Sequence, residues 1–204
     1  MRKPKTVFLL LNGEAPKKFP NNISEYGLIC ATDGAHETLQ EMDITPDLVI
    51  GDFDSSEDLP EDSEIIHTPD QNYTDFDKAL KILFERGYHR IDVYGAGGKE
   101  HDHFLGNLHT ALVWKYKIDL TFFDDFGHYF FAPKSIYIPN IHEKTVSLFP
   151  FPEAKKVTTK GLQYPLHNED LAFGSRIGTR NKAIENSVEI KFESGSLIVF
   201  INHS

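Results

Sequence analysis

Between Asp33 and Asn107 the sequence gathers aspartates beside turn residues at the ends of short apolar runs. Asp52 and Asp54 flank Phe53 directly after Gly51, Asp75 and Asp77 open an amphipathic segment, and Asp102 stands between His101 and His103. Alternation about Phe53 puts the Asp52 and Asp54 carboxylates on one side of an extended chain. Two hard oxygen donors that converge can bridge Mg²⁺ to a phosphate. The turn Gly95-Ala96-Gly97-Gly98, followed by Lys99, adds backbone amides and a cation suited to a polyanion. It lacks the GK[ST] ending of a Walker A loop and misses the dinucleotide GxGxxG pattern. No serine elbow or cysteine nucleophile motif accompanies it. The expected chemistry is the grip of a triphosphate through a divalent cation, with catalysis by positioning and charge neutralisation.

Two other readings compete. His101, Asp102 and His103 could join Asp52 and Asp54 in a dinuclear hydrolase site for Zn or Mn. Histidines at i and i+2 seldom face the same way on a helix, which weakens it. A non-catalytic nucleotide sensor is the third class. Asp77 is explained by its place in a first helical turn, where carboxylates favour the dipole. Glu57, Asp58, Glu61, Asp62 and Glu64 read as a solvated acidic stretch.

The elements that must position these groups follow from the apolar runs. Val7–Leu11, Tyr26–Ala31, Leu48–Ile50, Ile65–His67, Arg90–Tyr94 and Ile118–Phe123 read as strands. Asn12-Gly13-Glu14 ends the first of them and leaves backbone groups open for ligand contact. Asp33-Gly34 is a tight turn into a helix over HETLQEM, where Gly34 permits close backbone approach. A second helix is predicted over Asp75–Arg86, capped by Thr74 and stopped by Gly87. A third is predicted over His103–Tyr116, with Asn107 one turn beyond His103. Alternating strands and helices predict an N-terminal α/β unit, residues 1–126, with a Rossmann-like, mostly parallel sheet and flanking helices. From 127 to 204 the runs Tyr129–Phe131, Ser135–Ile138, Thr145–Leu148, Lys156–Thr159, Val188–Phe192 and Leu197–Ile201 predict a C-terminal antiparallel β-sandwich. Glu193-Ser194-Gly195-Ser196 carries a hairpin signal between the last two.

Composition narrows the partners. The 204 residues hold 21 Lys and Arg against 31 Asp and Glu, a net charge of −10, which disfavours nucleic acid. No run of about 18 apolar residues would span a membrane. The apolar run Val7–Leu11 is too short for a secretion signal, and no small-residue cleavage site follows. Cys30 is the single cysteine, so no disulfide forms within the chain and a cytoplasmic location is expected.

Three motifs together resemble the thiamine pyrophosphokinase family: PDLVIGDFDS (Pro46–Ser55), DQNYTDFDKAL (Asp70–Leu80), and the GAxGGxxDHxxxN pattern from Gly95 to Asn107. SLFPF (Ser147–Phe151), TKGLQYPL (Thr159–Leu166) and GTRN (Gly178–Asn181) match its C-terminal signatures less sharply. The resemblance implies transfer of pyrophosphate from ATP to the thiamine hydroxyl with Mg²⁺, giving thiamine diphosphate and AMP. It implies a homodimer with sites at the subunit interface. Carried over by position, Asp52, Asp54, Asp75 and Asp102 would form the catalytic Mg²⁺ and phosphate site. Asn12, Asp33, Gly34, Gln71, Thr74, Lys78, Gly97, Gly98, Lys99, His103 and Asn107 would hold ATP, and Thr179 and Asn181 would contact thiamine. Lys99 replaces the family's usual arginine, keeping charge but losing bidentate phosphate contact. Arg176 and Arg180 bring cations near the expected place of a cationic substrate.

Overall fold

The computed structural model describes residues 5–20, 22–54 and 59–203. Ser55, Glu57, Asp58 and the first four residues lie outside these. The chain divides into two compact units, Met1–Asp125 and Phe126–Ser204.

In the first unit, strands β1 (Thr6–Leu10), β2 (Leu28–Thr32), β3 (Leu48–Gly51), β4 (Glu64–His67), β5 (Arg90–Tyr94) and β6 (Asp119–Phe123) alternate with helices α1 (Ala35–Glu41), α2 (Asp75–Glu85) and α3 (His101–Trp114). The strands lie in the order β4-β3-β2-β1-β5-β6, and every neighbouring pair is parallel. Strands covered on both faces need continuous apolar runs; Val7, Phe8 and Leu9 are accordingly all fully buried. The chain steps outward from β1 through β2, β3 and β4, then returns through α2 to β5 on the other side of β1. Such a reversal opens a crevice outside the carboxyl ends of the two central strands.

Side-chain direction shows that helices cover both faces. Phe8, Leu10 and Tyr94 pack with Ala35 and Leu39 of α1, and Tyr94 stacks on Phe123. The adjacent Phe122 points the opposite way and meets Phe76 of α2 edge-on. On that face Trp114 of α3 donates its Nε1–H to Asp77 Oδ1 at 2.7 Å. Asp77, expected only to favour the helix dipole, thus also ties two helices together. Burying Phe76, Leu80 and Leu83 contributes roughly 1.5–3 kcal/mol apiece. The Thr74 hydroxyl accepts from the Asp77 N–H at 3.2 Å, a cap contributing about 1 kcal/mol. Helix α3 begins two residues before the expected His103, because extended Glu100 (φ −71°, ψ 131°) is its N-cap.

The second unit contains β7 (Gly127–Phe131), β8 (Ser135–Pro139), β9 (Thr145–Lys160), β10 (Glu169–Ala172), β11 (Gly178–Lys182), β12 (Ser187–Lys191) and β13 (Ser194–Asn202). Strand β13 pairs antiparallel with β7 and β9, whereas β12 pairs antiparallel with β8 and with the far end of β9. The two sheets enclose one apolar cluster that includes Leu148, Val188, Ile190, Leu197 and Val199. Two expectations are corrected. The runs Thr145–Leu148 and Lys156–Thr159 are one 16-residue strand, which passes from one sheet to the other near Lys156 in a left-handed conformation (φ 54°). Glu193–Ser196 closes no hairpin: β12 pairs with β8 and the far end of β9, β13 with β7 and the nearer part of β9, and the segment crosses between the two sheets. Among the described residues no helix is long and apolar enough to cross a membrane.

Candidate active site

A cleft of about 590 Å³ opens at the carboxyl ends of β1, β2, β3 and β5, where the reversal of strand order would put it. Its floor is built by two loops zipped together as a continuation of the sheet. Leu11 N–H donates to Tyr94 O at 2.9 Å, Gly13 N–H to Gly95 O at 2.8 Å, and Glu14 N–H to Gly97 O at 2.7 Å. Gly95 has φ +67°, and a Cβ there would stand 2.3 Å from Leu11 O, so no other residue permits this approach. Asn107 on α3 donates to Ala96 O at 2.9 Å and fixes the loop to the helix.

Of the residues expected at the site, Asn12, Asp33, Asp52, Gln71, Thr74, Asp75, Lys78, Gly97, Lys99, Asp102, His103 and Asn107 line this cleft. Asp54, Gly34 and Gly98 are not among the lining residues. Gly34 serves the site indirectly, because a Cβ on its left-handed backbone would meet the Asn12 amide at 2.4 Å. Asn12 in turn accepts from Lys99 Nζ at 3.0 Å.

The Asp52–Asp54 segment is not extended. Phe53 takes φ +56°, and its N–H donates to Asp33 Oδ2 at 2.9 Å. This left-handed residue breaks the alternation, so Asp52 faces the cleft while Asp54 does not line it. Asp52 Oδ2 accepts from Gln71 Nε2 at 2.7 Å. That hydrogen bond, with the Asp54 N–H, holds the Asp52 carboxyl below the usual aspartate range.

Several expected ligand residues have structural partners. Thr74 caps α2. Lys78 is buried, and its ammonium contacts Asp75 Oδ1 at 2.7 Å, Thr68 O at 2.9 Å and Asp70 O at 3.3 Å. Asp102 Oδ1 accepts from the adjacent His103 N–H at 3.0 Å, and His103 lies 3.6 Å from Glu100. His101 does not line the cleft. Among the described residues no three His, Cys, Asp or Glu side chains are grouped to hold a metal, so the dinuclear constellation around His101 and His103 is not assembled.

Thr179 and Asn181 lie on β11 in the second unit, where the pairing with β9 slips between Gly178 and Asn181. Arg180 is left-handed (φ 55°) and donates its N–H to Ser147 Oγ at 2.9 Å. The Asn181 amide is committed at both ends: it accepts from Tyr164 N–H at 3.1 Å and donates to Tyr164 O at 2.7 Å. Thr179 remains exposed. Arg176 is ion-paired with Glu169, which offsets its charge.

Sequence reasoning missed Tyr73 and Glu100, which also line the cleft. Tyr73 is 60% exposed, and an aromatic side chain in the otherwise polar loop DQNYTD was the available signal. The acidic lining is Asp33, Asp52, Asp75, Glu100 and Asp102 against the basic Lys78 and Lys99, with His103. Such a surface repels a bare polyphosphate and accepts one escorted by divalent cations.

The family model for the thiamin pyrophosphokinase catalytic domain matches residues 19–122, and that for the thiamin pyrophosphokinase vitamin B1 binding domain matches residues 134–197. The chain is 27% identical over 210 residues to the thiamine pyrophosphokinase of Bacillus subtilis (strain 168), covering 96% of this chain and 97% of that protein. It is 26% identical over 219 residues to thiamin pyrophosphokinase 1 of Caenorhabditis elegans, covering 96% and 88%. The crystal structure of the thiamin pyrophosphokinase from Geobacillus thermodenitrificans superposes with a TM-score of 0.82 at 22% identity, covering 98% of each chain. The chain belongs to the thiamin pyrophosphokinase family.

Proposed function

We propose that this chain is a thiamine pyrophosphokinase that transfers the terminal pyrophosphoryl group of ATP to the hydroxyl of thiamine. The hydroxyl oxygen attacks the β-phosphorus, the bond from the β-phosphorus to the oxygen bridging to the α-phosphorus breaks, and AMP leaves. The hydroxyl proton passes to a cleft aspartate. The observation that carries this reading is the acidic cleft at the reversal of strand order, with carboxylates from three separate segments, Asp52, Asp75 and Asp102. The first unit, a Rossmann-like sheet, is the ATP half, and the second is the thiamine half.

Mg²⁺ suits the donor set. The oxygens of Asp52, Asp75 and Asp102 are hard ligands, and this ion usually keeps several waters and takes only one or two carboxylates plus substrate phosphates. A preformed cage is therefore not required, and Asp54 is the remaining candidate ligand. When bound, the ion neutralises phosphate charge. Asp52 stays ionised because Gln71 stabilises its charged form, which favours it as a ligand and makes it a poor proton acceptor. Lys99 supplies a cation for phosphate, held by Asn12. Thr179 is the exposed candidate for thiamine contact, and the committed Asn181 amide shapes the turn that presents it. A homodimer with sites completed across the subunit interface, and a cytoplasmic location consistent with the lone buried Cys30, complete the proposal.

The test is purified protein with ATP and Mg²⁺, with and without thiamine, quantifying AMP, inorganic phosphate and thiamine diphosphate. The expected result is AMP and thiamine diphosphate in equal amounts, dependent on thiamine and stopped by chelation. Phosphate release without thiamine would indicate a hydrolase instead. Ligand binding without turnover would indicate a sensor.

A further inference from the structure

Lys78 was expected to touch ATP, yet its surroundings assign it other work. Its side chain is only 10% exposed, and its ammonium has three hydrogen-bond donors. All three have partners: Asp75 Oδ1 at 2.7 Å, Thr68 O at 2.9 Å and Asp70 O at 3.3 Å. No donor is left for a phosphate unless one of these contacts breaks.

These partners span the loop from Thr68 to Asp75, whose ends are fixed independently. Thr68 N–H donates to Gly51 O at 2.7 Å, extending the ladder beside the end of β3. Asp75 opens α2. Between them Asp70 Oδ1 accepts from Asn72 N–H at 2.9 Å, which tightens the turn. Gln71 sits at the tip and reaches Asp52 Oδ2 at 2.7 Å. A buried ammonium drawing two carbonyls and one carboxylate inward therefore sets where Gln71 and Asp75 stand relative to Asp52.

We propose that Lys78 is a positioning residue: it folds the 68–75 loop around its ammonium and so presents Gln71 to Asp52 and the Asp75 carboxylate to the cleft, without contacting nucleotide. This deepens the proposed pyrophosphoryl transfer and rests on that reading. Arginine distinguishes the two roles. A guanidinium serves a phosphate contact at least as well as lysine, whereas its planar fork cannot gather three acceptors around one nitrogen.

The experiment compares wild type, Lys78→Arg, Lys78→Gln, Gln71→Ala and the double variant Gln71→Ala/Lys78→Gln. Each is measured for kcat and KM with MgATP and thiamine, and for amide hydrogen exchange of residues 68–75 without ligand. The expected result is that Lys78→Arg loses protection over 68–75 and drops kcat by about 100-fold, with KM for ATP changed less than about 3-fold. The double variant should be no worse than the poorer single one, because the two act as a unit. Wild-type KM, kcat and protection in Lys78→Arg, or a raised KM for ATP with protected loop amides, would overturn the proposal. Should Lys78→Gln fail to fold, Lys78→Arg alone decides by these readouts. Hydrogen exchange is independent of turnover: an inactive wild type refutes the pyrophosphokinase reading, while an unprotected loop in wild type refutes the role of Lys78.

Discussion

Asp52, at the carboxyl end of β3, faces the cleft with its charge supported by the Gln71 amide, whereas Asp92, in the middle of β5, is half-buried beneath two tyrosines. Tyr26 donates its hydroxyl to Asp92 Oδ2 at 2.7 Å and lies 3.1 Å from the Tyr94 hydroxyl. Burial pushes the Asp92 carboxyl up, against the lowering effect of the Tyr26 hydrogen bond. Burial likewise pushes the Tyr94 hydroxyl up to about 12. Asp52 moves the opposite way. The same side chain thus does different work at different depths along a parallel strand. At the strand end it stays charged and open to ligand; in mid-strand it is a desolvated polar group inside an aromatic cluster of Phe8, Phe19, Tyr26 and Tyr94.

That contrast can be broken by mutation. The largest effect is expected at the cleft carboxylates: Asp102→Ala, in the first turn of α3, should lower AMP formation by roughly 100- to 1,000-fold while the melting temperature stays near wild type. Steady-state kinetics beside thermal denaturation checks it. Next comes Tyr26→Phe, which leaves the half-buried Asp92 without its donor and should cost about 1–3 kcal/mol of stability, with kcat little changed. Denaturant titration reads this directly.

The smallest effect is a pH slope. Because the folded Asp92 carboxyl titrates above its unfolded value of about 3.9, the folded state binds the extra proton within that window. Its contribution to stability is full below about pH 4 and is lost as pH rises through the raised value. Asp52 has the opposite sign, with its contribution present above about pH 4 and lost as pH falls through its lowered value. Asp92→Asn should remove the first slope and keep the second, which unfolding midpoints across the acid range would show.

Local pattern made much of the fold legible in the sequence, because parallel strands buried on both faces must be apolar throughout. Strand β3 covers the expected run Leu48–Ile50, whose three side chains are fully buried, and Thr74 and Gly87 bracket α2 as their chemistry requires. What escaped was set by contacts distant in sequence. Nothing local in GDFDS states that Asp33, twenty residues before Phe53, holds the Phe53 N–H where the left-handed backbone breaks the alternation of Asp52 and Asp54. Pro150 and Pro152 lie between the two expected runs Thr145–Leu148 and Lys156–Thr159, yet Pro150 stands in register with Leu197 and the strand continues. The resemblance places Lys78 with ATP, while the carbonyls that its ammonium also contacts are backbone groups and leave no trace in residue type. Asp92 hid inside an ordinary strand, since its tyrosine partner comes from before β2.

On the proposed function, the cleft carboxylates Asp52, Asp75 and Asp102 carry the chemistry and the mid-strand Asp92 carries structure. Making the same conservative change at each position, Asp52→Asn and Asp92→Asn, and measuring AMP and thiamine diphosphate formation with MgATP and thiamine tests it most directly. Asp52→Asn should lose turnover with its melting temperature near wild type, and Asp92→Asn should turn over as wild type does. Full turnover in Asp52→Asn, or loss of turnover in a stable Asp92→Asn, would contradict it.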